Sequence, residues 1–109
     1  MFWRQEKMIT HILENTWTPS FISHGWGNGY VAIPKGHKLH GMHYDDISNE
    51  IDYTELPLTF SGGGDLFEWA PDDSWVVGFD TVHSFNDESD DMAYVADQTD
   101  KLRASIEAI

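Results

Sequence analysis

Apolar residues fall along this chain in short runs separated by turn formers, a spacing that predicts several short strands and one helix. Met8-Ile9-Thr10-His11-Ile12-Leu13 has apolar positions at 8, 9, 12 and 13, which fit one helical face. Its β-branched residues suit a strand equally well, so the period leaves both open. Residues 16–29 carry many turn formers, with Trp17, Phe21, Ile22 and Trp26 between them. This predicts a short strand and a turn, with Asn28-Gly29 as a tight-turn pair. Tyr30-Val31-Ala32-Ile33 reads as a strand stopped by Pro34 and Gly36, and residues 35–44 as a loop. Asp45 or Asp46 then caps a short helical turn through Glu50.

The second half continues the pattern. Leu56-Pro57-Leu58-Thr59-Phe60 alternates as a strand, with Pro57 suggesting an edge or a strand start, and is broken by Gly62-Gly63-Gly64. Leu66-Phe67-Glu68-Trp69 reads as a further strand, followed by a turn at Pro71-Asp72-Asp73. Trp75-Val76-Val77-Gly78-Phe79 is apolar throughout, which predicts a central strand. Residues 80–91 form a loop with five acids. From about residue 90 to 107, Val95, Thr99, Leu102, Ile106 and Ile109 recur at steps of four and three, the stripe of an amphipathic helix, with Ser89 as its candidate N-cap. These elements give an α+β fold, a mostly antiparallel β-sheet with a C-terminal α-helix packed on one face. The 109 residues read as a single domain: an N-terminal segment (1–28), sheet and loops (29–88) and the helix (89–109).

Composition narrows the function. Cysteine is absent, so disulfides, thiolate metal sites and a cysteine nucleophile are excluded. No apolar run approaches the roughly 20 residues of a membrane span, and nothing at the N-terminus resembles a signal peptide, so a cytoplasmic protein is expected. The net charge of −13 argues against direct binding of nucleic acid and permits the reverse, a partner that is itself basic. The charge is uneven. Residues 1–44 hold four cations and two acids, for +2, with five of the six histidines; residues 45–109 hold two cations and 17 acids, for −15. Acidic loops also serve solubility, which is the plainest use of such a surplus.

Four groups of residues could carry chemistry. His37, His40 and His43 stand at i, i+3 and i+6, with Asp45 and Asp46 behind them. Pro34, Gly36 and Gly41 make the segment a loop rather than a ligand-bearing helix, so no metal or other cofactor is assigned to it. Asp80 and His83 sit at the end of the predicted central strand, where an Asp can orient an imidazole. Thr59 and Ser61 precede three glycines whose amides could cradle an anion, although no Lys-Ser/Thr follows as in a P-loop. Trp17, Trp26, Tyr30, Trp69, Trp75 and Phe79 supply core, and Trp26 and Trp69, which flank glycines, are the two that could instead stack on a planar ligand. No Ser-His-Asp order or carboxylate pair identifies a reaction, so the reading leans away from an enzyme.

Gly29-Tyr30-Val31-Ala32-Ile33-Pro34-Lys35-Gly36-His37, followed by Gly41, Tyr44 and Asp45, is similar to the opening motif of a family of small proteins from tailed bacteriophages and prophages. Leu58-Thr59-Phe60-Ser61 and Trp75-Val76-Val77-Gly78-Phe79-Asp80-Thr81-Val82-His83 resemble that family's second and third motifs, and Tyr94-Val95 the start of its closing helix. The match runs over residues 29–106 in the same order. It departs at Glu55-Leu56-Pro57, where the family has His-Gly-Gly, and after His83, where Asn86-Asp87 comes late for the family's Gly-Asp. The resemblance implies a phage accessory protein acting in the host cytoplasm, with a variable segment at 1–28 and a pocket shared with its relatives.

The leading expectation is therefore binding, as an anti-defence factor. A small-molecule or nucleotide-type ligand would be held by His37, Tyr44, Asp45, Thr59, Ser61, Asp80 and His83, all polar and at strand ends or loops. The alternative is an acidic inhibitor or nucleic-acid mimic that blocks a basic surface of a host protein through Asp87, Glu88, Asp90 and Asp91. A second alternative is a metal-assisted hydrolase built on Asp80, His83 and the histidines of 37–43.

Overall fold

In the computed structural model, residues 8–14, 27–53, 55–80 and 92–109 are described. The β-branched residues of the first apolar run prevail over its helical spacing, and Ile9–Glu14 forms strand β1. Gly27–Ile33 is β2, Phe60–Gly63 is β3 and Trp75–Asp80 is β4. They make one antiparallel sheet in the order β1-β2-β4-β3. The apolar strand β4 lies inside the sheet, as its composition predicts. Helices α1 (Tyr44–Glu50) and α2 (Met92–Glu107) complete the α+β fold, with α2 packed on the sheet against β2 and β1.

The two faces of the sheet bury different things. Val31, Ile33, Val77 and Phe79 alternate onto one face and form a core with Val95, Leu102 and Ile106 of α2 and with Ile47 of α1. The stripe expected of α2 is therefore its buried face, with Thr99 also buried and Ile109 exposed beyond the helix end. Ala32 and Val76 face the other way and meet Ala70, with Tyr30, Phe60, Phe67 and Trp69 packed around them. The stretch after β3 lies over this second face.

Four local expectations are revised. Asn28-Gly29 is no turn but lies within β2, paired with Asp80 and Phe79 of β4. A side chain at Gly29 would strike Thr99 and the ring of Phe79, so the glycine is where α2 comes closest to the sheet. Gly62 and Gly63 extend β3 rather than break it, because edge pairing needs only backbone groups. Residues 64–66 are a 3₁₀ turn, and Phe67 to Trp69 cover the sheet instead of joining it. At α1 the cap is His43, whose Nδ1 accepts from the Asp45 N–H at 3.2 Å, and the two aspartates occupy the first turn, where the helix dipole favours them.

Candidate functional site

The loop after β2 is built from successive tight turns. The His37 N–H donates to the Pro34 carbonyl, that of His40 to His37 and that of Met42 to Leu39. Gly36 and Gly41 have φ of 96° and 86°, the left-handed region that glycine reaches without strain. These turns bury Leu39 and give the three histidines separate tasks. His37 Nδ1 accepts from the Leu39 N–H at 3.1 Å, His40 Nε2 lies 2.8 Å from the Asp73 carbonyl, and His43 caps α1. Among the described residues, no three histidines or carboxylates are placed to hold a metal ion.

Four of the predicted ligand residues form two hydrogen-bonded pairs. The Tyr44 N–H donates to Ser61 Oγ at 3.2 Å, which ties α1 to β3. Thr59 Oγ1 donates to Asp80 Oδ2 at 3.0 Å at the far end of β4. His37 follows β2 at the end where Ile33 pairs with Trp75, whereas Asp80 ends β4 opposite Asn28. Six residues of strand separate those ends, roughly 17 Å. Asp45 is exposed, 3.8 Å from His43. His83, Asp87, Glu88, Asp90 and Asp91 lie outside the described residues, as do Trp17, Trp26 and Ser89.

The charges on α2 are committed to the fold. Glu55 accepts from Gln98 at 2.6 Å and from Lys101 at 3.1 Å, and these two donors hold its carboxyl below the usual glutamate range. Lys101 also pairs with Asp97, and Arg103 bridges Asp100 and Glu107 at 2.6 and 2.7 Å. Hydrogen bonding to Asp100 in particular raises the guanidinium further above its already high value. Gln98 is fully buried and accepts from the Tyr53 hydroxyl, while burial pushes the Tyr53 phenol far above its ordinary value. Tyr53→Phe is expected to cost about 1–3 kcal/mol, because Gln98 Oε1 then loses its buried donor. Urea unfolding with an unchanged slope would measure that loss.

The feature that sequence reasoning missed is on the second face. Tyr30, Phe60, Phe67 and Trp69 pack with ring centroids 5.5–6.1 Å apart. A side chain at Gly78 would collide with the Tyr30 ring, so this glycine makes room for the cluster. The available signal was the combination of in-strand glycines with three aromatics, Phe60, Phe67 and Trp69, within ten residues. His11 of β1 stacks on Trp69, with centroids 5.0 Å apart and planes 11° from parallel. On either side of that stack lies a groove. One, of about 340 Å³, is lined by His11, Leu13, Tyr30, Leu66, Phe67, Glu68 and Trp69. The other, of about 200 Å³, is bordered by Met8, Ile9, Ala32, Pro34, Pro71, Asp73 and Ser74. Ile9, Leu13 and Leu66 at their margins are 47, 49 and 66% exposed.

No protein-family model, curated protein or solved structure matches the chain. Its fold and its two-faced sheet define an α+β protein, and no helix among the described residues is long and apolar enough to cross a membrane.

Proposed function

We propose that this protein acts by binding a basic polypeptide and covering it. The observation that carries this reading is how the cations are used. Of the four in the described residues, Lys38, Lys101 and Arg103 are each held by an acid: Glu50, Glu55 with Asp97, and Asp100 with Glu107. Solvent therefore meets a surface of exposed carboxylates, among them Asp46, Asp52, Asp65, Glu68, Asp72 and Asp73. Such a field steers a basic partner and repels nucleic acid and copies of the protein itself. The resemblance to tailed-phage proteins makes a host protein the natural target, and blocking it the natural effect of an anti-defence factor.

A pocket for a nucleotide-type ligand is less well supported. His37 follows β2 at the end of the sheet away from Asp80, and neither groove is lined by any of the proposed ligand residues that are described. A hydrolase meets the same difficulty.

The test is the ionic-strength dependence of binding to a basic polypeptide such as polyarginine, followed by isothermal titration calorimetry. Affinity is expected to fall at least about tenfold as salt rises from low to high ionic strength, because exposed charges are screened beyond about 10 Å at 0.1 M. Binding that is absent, or indifferent to salt, would reject the reading.

A further inference from the structure

The basic-partner reading leaves open where on the surface the partner engages. We infer that the site is the outer edge of β1 with its two flanking grooves, and that its occupant is an extended, arginine-bearing segment that adds a strand there. This inference rests on the proposed function and gives it an address.

Three observations converge on β1. The first is the edge itself: among the described residues β1 pairs with β2 alone, and an edge strand presents unpaired N–H and C=O groups along its other side. β1 is held firmly enough to act as a template. Met8 and Ile12 pack against the core under α2, and the Met8 N–H donates to Glu107 at 2.7 Å.

The second is geometry. Ile9, His11 and Leu13 alternate onto the second face, and the grooves open beside Ile9 and beside Leu13, divided by the His11–Trp69 stack. Ile9 and Leu13 are four residues apart, about 13 Å along a strand. Side chains i and i+4 of an added strand fall on one face at that same spacing, so one extended segment reaches both grooves.

The third is chemistry. Each groove joins apolar or aromatic walls to a carboxylate, Glu68 in one and Asp73 in the other, and among the described residues neither is lined by a lysine or arginine. Arginine fits that combination. Its methylenes cover Leu13 or Ile9, its charge meets the acid, and in the groove beside Leu13 its guanidinium lies on an aromatic face. A second copy of this chain would bring the same acids against these and be repelled. A lipid surface would need cations at the groove margins, where Glu68 and Asp73 stand.

The test titrates the full chain with a nine-residue peptide of alternating arginine and valine. Two control peptides carry citrulline for arginine, or proline for valine. Leu66→Lys and Glu68→Gln alter exposed side chains, so their folding is verified by unchanged thermal melting before binding is measured. Each is expected to weaken the arginine peptide about tenfold, while Asp46→Asn, on α1 beside the opposite edge of the sheet, leaves it unchanged. The citrulline and proline peptides are expected not to bind. If both groove variants bind as the original does, or Asp46→Asn weakens binding equally, the β1 site is wrong and the basic-partner reading survives. Binding of the proline peptide would overturn strand addition. If neither the arginine peptide nor polyarginine binds the unaltered protein, both fall together.

Discussion

Shortening Phe79 to alanine is expected to cost about 3–5 kcal/mol of folding stability, the range for deleting a fully buried aromatic ring. Phe79 is 1% exposed and lies on β4 between β2 and the helix α2. Its ring occupies the space that the missing side chain of Gly29 leaves open. Neighbours that already pack at van der Waals distance collapse poorly into such a hole, so a cavity term adds to the lost transfer energy. A domain of this size has roughly 5–15 kcal/mol in all, so much of the total is lost. The melting temperature should fall by roughly 12–20 °C, and the urea midpoint should drop with no change in slope. A loss below about 1 kcal/mol would mean that α2 is not seated on the sheet at this ring.

Gly29→Val tests the same contact from the opposite side. A side chain there meets Thr99 Oγ1 and the Phe79 ring, and neither can yield easily. Thr99 is buried, and its hydroxyl donates to the Val95 carbonyl at 2.7 Å; Phe79 is enclosed by the core. Overpacking of a rigid site costs about 3 kcal/mol, at the upper end of the usual range. Valine favours strands, so β propensity alone would predict a gain, and the two views differ in sign. The smaller change Gly29→Ala should be partly rescued by Phe79→Leu. Their double-mutant cycle should show a coupling of about 1 kcal/mol, because both substitutions compete for one volume. Strict additivity would place the helix elsewhere.

Gly29 also marks the limit of reading this chain without its fold. Asn-Gly is the strongest short turn signal, yet here it lies inside β2, because a glycine is needed where α2 crosses. The apolar run of β4 and the stripe of α2 were legible because period and burial agree in each. β3 was harder to place: its glycines weaken a strand signal, but an edge pairs through the backbone whatever the side chains. Phe67 and Trp69 looked like strand residues because aromatics favour strands, whereas their burial comes from lying over the sheet beside Tyr30.

The site divides in the same way. That residues 35–44 form a loop followed from Pro34, Gly36 and Gly41, although the cap of α1 proved to be His43 rather than an aspartate. Whether His37 meets Asp80 depends on strand direction and register, which a polar residue at the end of a run does not reveal. The His11–Trp69 stack joins residues 58 positions apart, through a β1 whose secondary structure the local pattern left undecided. The weakly basic first 44 residues and the acidic remainder are less separate than their sums suggest, since Lys38 of the first pairs with Glu50 of the second.

The most direct test of a β1 docking edge is amide hydrogen exchange along Ile9–Glu14, with and without the arginine–valine peptide. Strand addition should slow the amides of β1 that face away from β2, in an alternating pattern, while α1 exchanges as before. Peptide binding that leaves the β1 amides unchanged, or protects α1 instead, would contradict it.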